Sequence, residues 1–260
     1  MGTVYEAWDS ASGRLVALKV VTSANPSPAQ LERLRREGTL SATLDHPGIV
    51  RIHGAGLVSG RPYLAFELVE GACPWQEVMR TTPLRRRVEL VRDVALALAA
   101  AHAQEIVHRD IKPDNLLVDS SGRVRIADFG VAFAADLERL TLSGALVGSP
   151  QYMSPEQFAG RSADGIGPAA DVWALGVVLY EALTNTLPFY GDNLAQLATA
   201  INGGPPQRPS AVGHEVPHEF SEVCMRALER DLEERYPSGH ELALDLERAL
   251  ARGSPAKALS

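Results

Sequence analysis

Apolar and polar residues change their rhythm once along this chain, near residue 70. Before that point, short apolar runs read as strands near 2–8, 14–21, 50–58 and 62–69, several of them separated by Gly-containing turns. Val16-Ala17-Leu18-Lys19-Val20-Val21 is the plainest case, an apolar run bounded by Gly13 and Asn25 that carries one charge. A helix over 30–44 interrupts these strands, with Leu31, Leu34 and Leu40 apolar and Arg33, Arg35 and Arg36 exposed. Ser23 to Pro28 is a polar, Pro-containing connector ahead of it. Beyond about residue 74 the spacing turns helical. A long Ala/Leu face runs over 84–104, and helices follow over 169–184, 193–201, 218–230 and 238–251. Only short strands near 116–118 and 123–126 break this region. A β-rich segment followed by a helical one predicts an α+β chain of two lobes with a cleft between them. The lobes are expected over about 1–69 and about 74–252, with a hinge at about 67–73.

Composition narrows the picture. With 260 residues and 45% hydrophobic content, the chain is long enough for a sizeable core. A net charge of −7 lacks the basic excess of a nucleic-acid binder, and the acidic cluster at 229–234 reads as solvated helix surface. Cys73 and Cys224 are far apart with no C-x-x-C spacing, which speaks against metal or disulfide roles and fits a reducing cytosol. No run approaches the ~18 apolar residues of a membrane span. The stretch 175–183 is apolar but short, and Glu181 interrupts it. No signal-peptide pattern leads the chain, and Glu6 stands where a myristoylation signal needs Ser or Thr. A soluble cytoplasmic protein is the expectation.

The chemistry sits in two blocks. His108-Arg109-Asp110-Ile111-Lys112-Pro113-Asp114-Asn115 reads H-R-D-x-x-x-x-N, and Asp128-Phe129-Gly130 reads D-F-G, 18 positions beyond Asp110. In order and spacing the blocks resemble the catalytic core of bacterial eukaryotic-type (Hanks-type) Ser/Thr protein kinases, and the resemblance runs from Gly2 to about Leu250. It implies a bilobal protein-kinase fold, ATP as phosphoryl donor, Mg²⁺ with Mn²⁺ as a substitute, and Ser/Thr hydroxyls of proteins as acceptors. Such transfer asks the protein for positioning and charge neutralisation more than for covalent chemistry. In that pattern Asp110 orients the acceptor hydroxyl and takes its proton, and Lys112 offsets charge on the transferred group. Asn115 and Asp128 are hard oxygen ligands for the metal. The bland alternative, an Asp and an Asn that merely fix a turn, leaves two motifs in register unexplained.

Lys19 in isolation reads as a snorkelling charge at a strand end. In the family's V-A-x-K strand it is the lysine that binds the α- and β-phosphates. Its expected partner on the 30–44 helix is Glu37, with Glu32 as the alternative. Met1-Gly2-Thr3-Val4 matches only the final G-x-V of the family's G-x-G-x-x-G-x-V loop, Gly2 standing for the last glycine and Val4 for the side chain on the adenine face. Half a loop brings fewer backbone amides to phosphate, and a missing first strand exposes a sheet edge. The expectation is therefore a native start upstream, with Met1 internal. At the hinge the resemblance puts Phe66 behind the adenine pocket, the backbone of Glu67 and Val69 on adenine, and Ala17 and Leu117 on either side of the ring. By composition each is also an ordinary core residue. Glu70-Gly71-Ala72-Cys73-Pro74 departs from the more usual E-G-G-x-L.

Between Asp128 and Glu156 the resemblance implies an activation segment, with Met153-Ser154-Pro155-Glu156 in the place of A-P-E. Arg109 can pair with a phosphorylated hydroxyl, and Thr141 and Ser143 stand where related bacterial kinases carry activating phosphothreonines. Turn chemistry alone also makes loops Ser/Thr-rich. Ser149 keeps a hydroxyl able to bond Asp110 and Lys112, which favours Ser/Thr acceptors. Asp171 is expected to support the catalytic loop from the central helix, and Arg235 to pair with Glu156. A homodimer for trans-autophosphorylation is a further implication, and the Ala/Leu/Arg-rich helices hint at a high-GC bacterium. Two other readings use the same residues. A pseudokinase is favoured by the incomplete glycine loop and opposed by intact Lys19, Asp110, Asn115 and Asp128. A small-molecule kinase is opposed by the peptide-docking character of 149–156.

Overall fold

The computed structural model of the chain describes residues 2–21, 43–58, 61–129, 149–160, 165–213 and 215–252. The first four expected strands form β1 (Gly2–Asp9), β2 (Arg14–Val21), β3 (Ile52–Val58) and β4 (Arg61–Glu67). They pair antiparallel in the order β1-β2-β4-β3. Gly13, at φ 65, takes the left-handed backbone that the tight β1–β2 turn needs. Residues directly opposite one another share a face. The register therefore sets Val4, Lys19 and Leu64 in one row and Glu6, Ala17 and Phe66 in the next. β3 starts later than the apolar pattern suggests because the chain before it is engaged elsewhere. Val50 N–H donates to Ile126 O at 2.8 Å, and Ile126 N–H to Gly48 O at 2.8 Å. Of the helix expected over 30–44, only Thr43 and Leu44 are described, and neither is helical; Glu32 and Glu37 lie outside the described residues.

The second lobe carries α1 (Trp75–Thr81), α2 (Leu84–His102), α3 (Pro155–Phe158), α4 (Ala169–Thr184), α5 (Leu194–Gly203), α6 (Pro209–Val212), α7 (His218–Ala227) and α8 (Gly239–Arg252). A small antiparallel sheet joins β5 (Cys73–Pro74), β6 (Leu116–Val118) and β7 (Val124–Ile126) in that order. Helix α4 is the axis of the lobe. It is apolar on every side and buried on every side, as such a helix must be. Its end is marked by Asn185 in left-handed backbone (φ 56, ψ 22), whose N–H closes on Glu181 O. Helix α8 buries Leu242, Leu246, Ala249 and Leu250, and α2 buries Val91, Val94, Leu98 and Ala101, each set at helical spacing. These faces meet closely. A Cβ on Gly239 would stand 2.5 Å from Ala95 O, so glycine alone fits there.

Two apolar cores result. The large one fills the helical lobe around α4. The small one, Val50, Ile52, Leu64, Phe66 and Val69, takes Ala17 from β2 and Leu117 from β6 against it, and so spans the junction of the lobes. Cys73 and Cys224 are free thiols, the latter inside the large core. No helix among the described residues is long and apolar enough to cross a membrane.

Candidate active site

The loop after α2 is held from beneath by one buried carboxylate. Asp171, on α4, has no solvent exposure. Its Oδ1 accepts the Arg109 N–H at 2.7 Å, and its Oδ2 accepts the His108 N–H at 2.7 Å and His102 Nε2–H at 3.0 Å. Burial alone would raise the Asp171 carboxyl. The hydrogen bonds from His102 and from the His108 N–H reverse that and hold it below the ordinary carboxylate value. Arg109 stands at φ 68 and Asp128 at φ 62, left-handed conformations that cost a non-glycine residue roughly 1–3 kcal/mol and persist only where neighbours enforce them. For Arg109 the enforcement comes from Asp171 below and from Gln157 Nε2, which donates to Arg109 O at 2.9 Å. Gln157 is itself fixed by the Ser154–Gln157 capping box that opens α3.

His108 ties this loop to the strand end before Asp128. Its Nδ1 accepts the Asp110 N–H at 3.2 Å, so the proton sits on Nε2, which donates to Ala127 O at 2.9 Å. Phe129 is buried with its ring edge-on to the imidazole, centroids 4.6 Å apart. The two sequence motifs are thus fastened to each other directly.

Above this floor five expected residues form two sets, joined where Ala127 N–H donates to Asn115 O at 2.8 Å. Lys112 Nζ donates to both oxygens of Asp110, at 2.9 and 2.7 Å. Asn115 Nδ2 donates to Asp110 O at 2.7 Å and to Oδ2 at 3.1 Å. Lys19 reaches from β2 to Asp128 Oδ2 at 2.5 Å. The centre is therefore two carboxylate–ammonium pairs, all four side chains partly buried. Because Asn115 spends its amide nitrogen on Asp110, its Oδ1 faces outward from that bond as an acceptor, and Asp128 supplies a carboxylate. Few oxygen donors are what Mg²⁺ takes from a protein when phosphates and water complete its shell. Among the described residues no group of three or more His, Cys, Asp and Glu could hold a metal alone. The donor set suits a metal that arrives with a nucleotide.

On the sheet side, Val4 lies opposite Lys19, and Ala17 and Leu117 both line the small core beside Phe66 and Val69. Gly2 opens β1 and pairs with Val21. Glu67 closes β4, and its N–H donates to Arg51 O. Its carboxylate takes Arg125 Nη2 at 2.7 Å and the Arg51 N–H at 3.3 Å. Burial would raise this carboxyl, but those hydrogen bonds outweigh it and hold it low. Glu156 and Arg235 meet as a buried two-point pair, at 2.9 and 3.4 Å. Ser149 opens the 3₁₀ turn Pro150–Tyr152, and no hydrogen bond joins it to Asp110 or Lys112. Thr141 and Ser143 lie outside the described residues.

Three residues that pattern reading passed over prove to hold the site: His102, Gln157 and Arg125. His102 alone had a legible signal. It follows Val91, Val94 and Leu98 on the buried stripe of α2, where a polar side chain must find a partner.

The sequence model of the family described as protein kinase domain matches residues 1–243. The chain is 37% identical over 254 residues to serine/threonine-protein kinase PknH of Mycobacterium tuberculosis, covering 96% of this chain and 40% of that relative. It is 38% identical over 254 residues to PknE of the same organism, covering 96% and 44%. With PknA of M. tuberculosis the identity is 39% over 249 residues, covering 92% and 56%. The chain thus spans about half the length of these curated relatives, or less. With the family model matching nearly all of it and these identities beside that match, the chain belongs to the protein kinase domain family.

Proposed function

We propose that the chain is the catalytic domain of a Ser/Thr protein kinase, transferring the γ-phosphoryl group of ATP to protein hydroxyls. The observation that supports this is the pair Lys19–Asp128 and the cluster Asp110–Lys112–Asn115, joined where Ala127, next to Asp128, donates its N–H to Asn115 O at 2.8 Å. That these relatives are serine/threonine-protein kinases supports Ser/Thr as acceptor. Asp110, its carboxylate oriented by Lys112 and Asn115, receives the proton of the acceptor hydroxyl as that oxygen attacks. Lys112 then lies beside the transferred group and offsets its charge. Lys19 turns from Asp128 toward the α- and β-phosphates, with Glu37 as its carboxylate partner. Asn115 and Asp128 hold Mg²⁺, or Mn²⁺ in its place, which when bound neutralises phosphate charge. Gly2 and Val4 cover the nucleotide, Ala17 and Leu117 enclose adenine, and the backbone of Glu67 and Val69 receives its edge.

The domain reading is a β-rich lobe over about 1–69, a hinge over about 67–73 and a helical lobe over about 74–252. Regulation belongs to the same proposal. Phosphate on Thr141 or Ser143, put there by a second copy, pairs with Arg109 and raises activity. The two free thiols suit a cytoplasmic setting. The test is transfer of labelled phosphate from ATP·Mg²⁺ to the chain and to a generic protein acceptor, beside Asp110→Asn. Label on Ser or Thr that vanishes in the variant is expected. Label that persists in Asp110→Asn overturns the assignment, and active enzyme with no phosphate at Thr141 or Ser143 by mass spectrometry overturns the regulatory part.

A further inference from the structure

We propose that His102 is a positioning residue through which the seating of α8 sets the geometry of the catalytic loop. The activity readout of this inference rests on the kinase reading; its structural readout does not. The contacts are few and buried. Gly239, first residue of α8, donates its N–H to His102 Nδ1 at 3.1 Å across 137 positions of sequence. A ring nitrogen that accepts there carries no proton, so the ring proton is on Nε2 and points at Asp171 Oδ2, 3.0 Å away and 69 positions further on from His102. Asp171 spends its other bonds on the N–H groups of His108 and Arg109, the two residues that lead into Asp110.

Each link depends on the one before it. The first N–H groups of a helix have no partner within it, and this one finds its acceptor on α2. That acceptance selects the tautomer Asp171 needs. In the other tautomer two N–H groups would meet at Nδ1, and two lone pairs would meet between Nε2 and Asp171. Gly239 is fitted to the task, since a Cβ there would also stand 2.9 Å from Ala99 N. Only a bare backbone lets α8 settle onto α2 deeply enough to reach the ring. The two ring nitrogens thus serve different elements, α8 and α4, and a substitution can separate them.

His102→Asn keeps an acceptor near the δ position, facing Gly239, and loses the donor to Asp171. His102→Gln keeps a donor near the ε position, facing Asp171, and loses the acceptor. We expect H102N to lower kcat on the order of tenfold while the KM for ATP stays within about twofold. Amide hydrogen exchange at His108 and Arg109 should speed up by a similar factor, about tenfold. H102Q should keep kcat and that protection to within about threefold. Gly239→Ala, which lifts the helix start, should reproduce the H102N result and stands in for it should H102N not fold. Equal kcat per folded molecule in H102N and H102Q, with unchanged exchange at His108 and Arg109, overturns the relay and leaves His102 a plain core residue. If the unaltered chain transfers no phosphate, the kinase reading fails and exchange alone decides. Protection lost in H102N and kept in H102Q then supports the relay, and equal protection in both overturns it.

Discussion

Replacing Arg235 with methionine tests whether the buried charge pair under α3 is held by its charge or by its volume. Arg235 is among the most enclosed side chains, and its guanidinium bonds Glu156 twice and the carbonyls of Ala169, Glu229 and Arg230 once each. It also lies over the Trp173 ring, 5.0 Å from the centroid. Methionine keeps the length and apolar stem, so the loss falls mainly on the polar contacts. Glu156, itself buried, is left as an unpaired carboxylate, and breaking such a pair costs about 3–5 kcal/mol. Domains are stable by only about 5–15 kcal/mol, so this is about a fifth of the total or more. The double variant E156Q/R235M removes the stranded charge and should recover about 2 kcal/mol of that loss. Urea denaturation followed by tryptophan fluorescence and by far-ultraviolet dichroism reads both values. The turn carrying Glu156 also carries Gln157, the residue that holds Arg109 O, so R235M should lower phosphotransfer as well. A loss under about 1 kcal/mol, or a double variant no more stable than R235M, refutes the charge account.

Three further outcomes are expected. Lys19→Met should abolish phosphotransfer yet shift the urea midpoint little, because a partly exposed pair such as Lys19–Asp128 contributes at most about 1 kcal/mol; a collapse in stability would contradict this. Burial, with the charge of Asp114 acting the same way and the Tyr152 hydrogen bond opposing, holds the Glu181 carboxyl above its ordinary value of 4.5. A folded-state value above the unfolded one means that the stability this group contributes is full below 4.5 and lost as pH rises through the folded value. Glu181→Gln, which mimics the protonated form, should therefore raise the urea midpoint at neutral pH and not in acid, and a rise only in acid would reverse the sign. Gly191→Ala should cost about 1–3 kcal/mol, since its Cβ would overlap the Leu197 backbone, whereas Gly167→Ala, with open space around it, should be near neutral in a thermal melt.

The polar centre was legible because its chemistry is local. Asp110, Lys112 and Asn115 lie within six positions, and one loop presents all three. Helix α4 was legible to the residue, since sixteen consecutive positions admit no polar face. The relay of Gly239, His102 and Asp171 was only half legible. Asp171 stood out in its motif and His102 lay on the buried stripe of α2, but a glycine before an amphipathic helix looks ordinary, and the connection of the three exists only in three dimensions. Element ends failed for a similar reason. Helix α7 stops at Ala227 rather than 230 because the carbonyls of Glu229 and Arg230 are drawn out to Arg235. Seven-residue α1 and two-residue β5 owe their existence to packing and to the pairing of Cys73 with Val118, which no periodicity reports.

Arg109 and Asp128 each occupy backbone that glycine or asparagine would occupy at lower energy. Heat tolerance and turnover are thus opposing quantities at these two positions. A library of this chain sorted only by survival at high temperature should drift toward Gly or Asn there, and its most robust members would be its least active ones. Thermostabilised versions are best ranked by phosphate transferred before they are ranked by melting point.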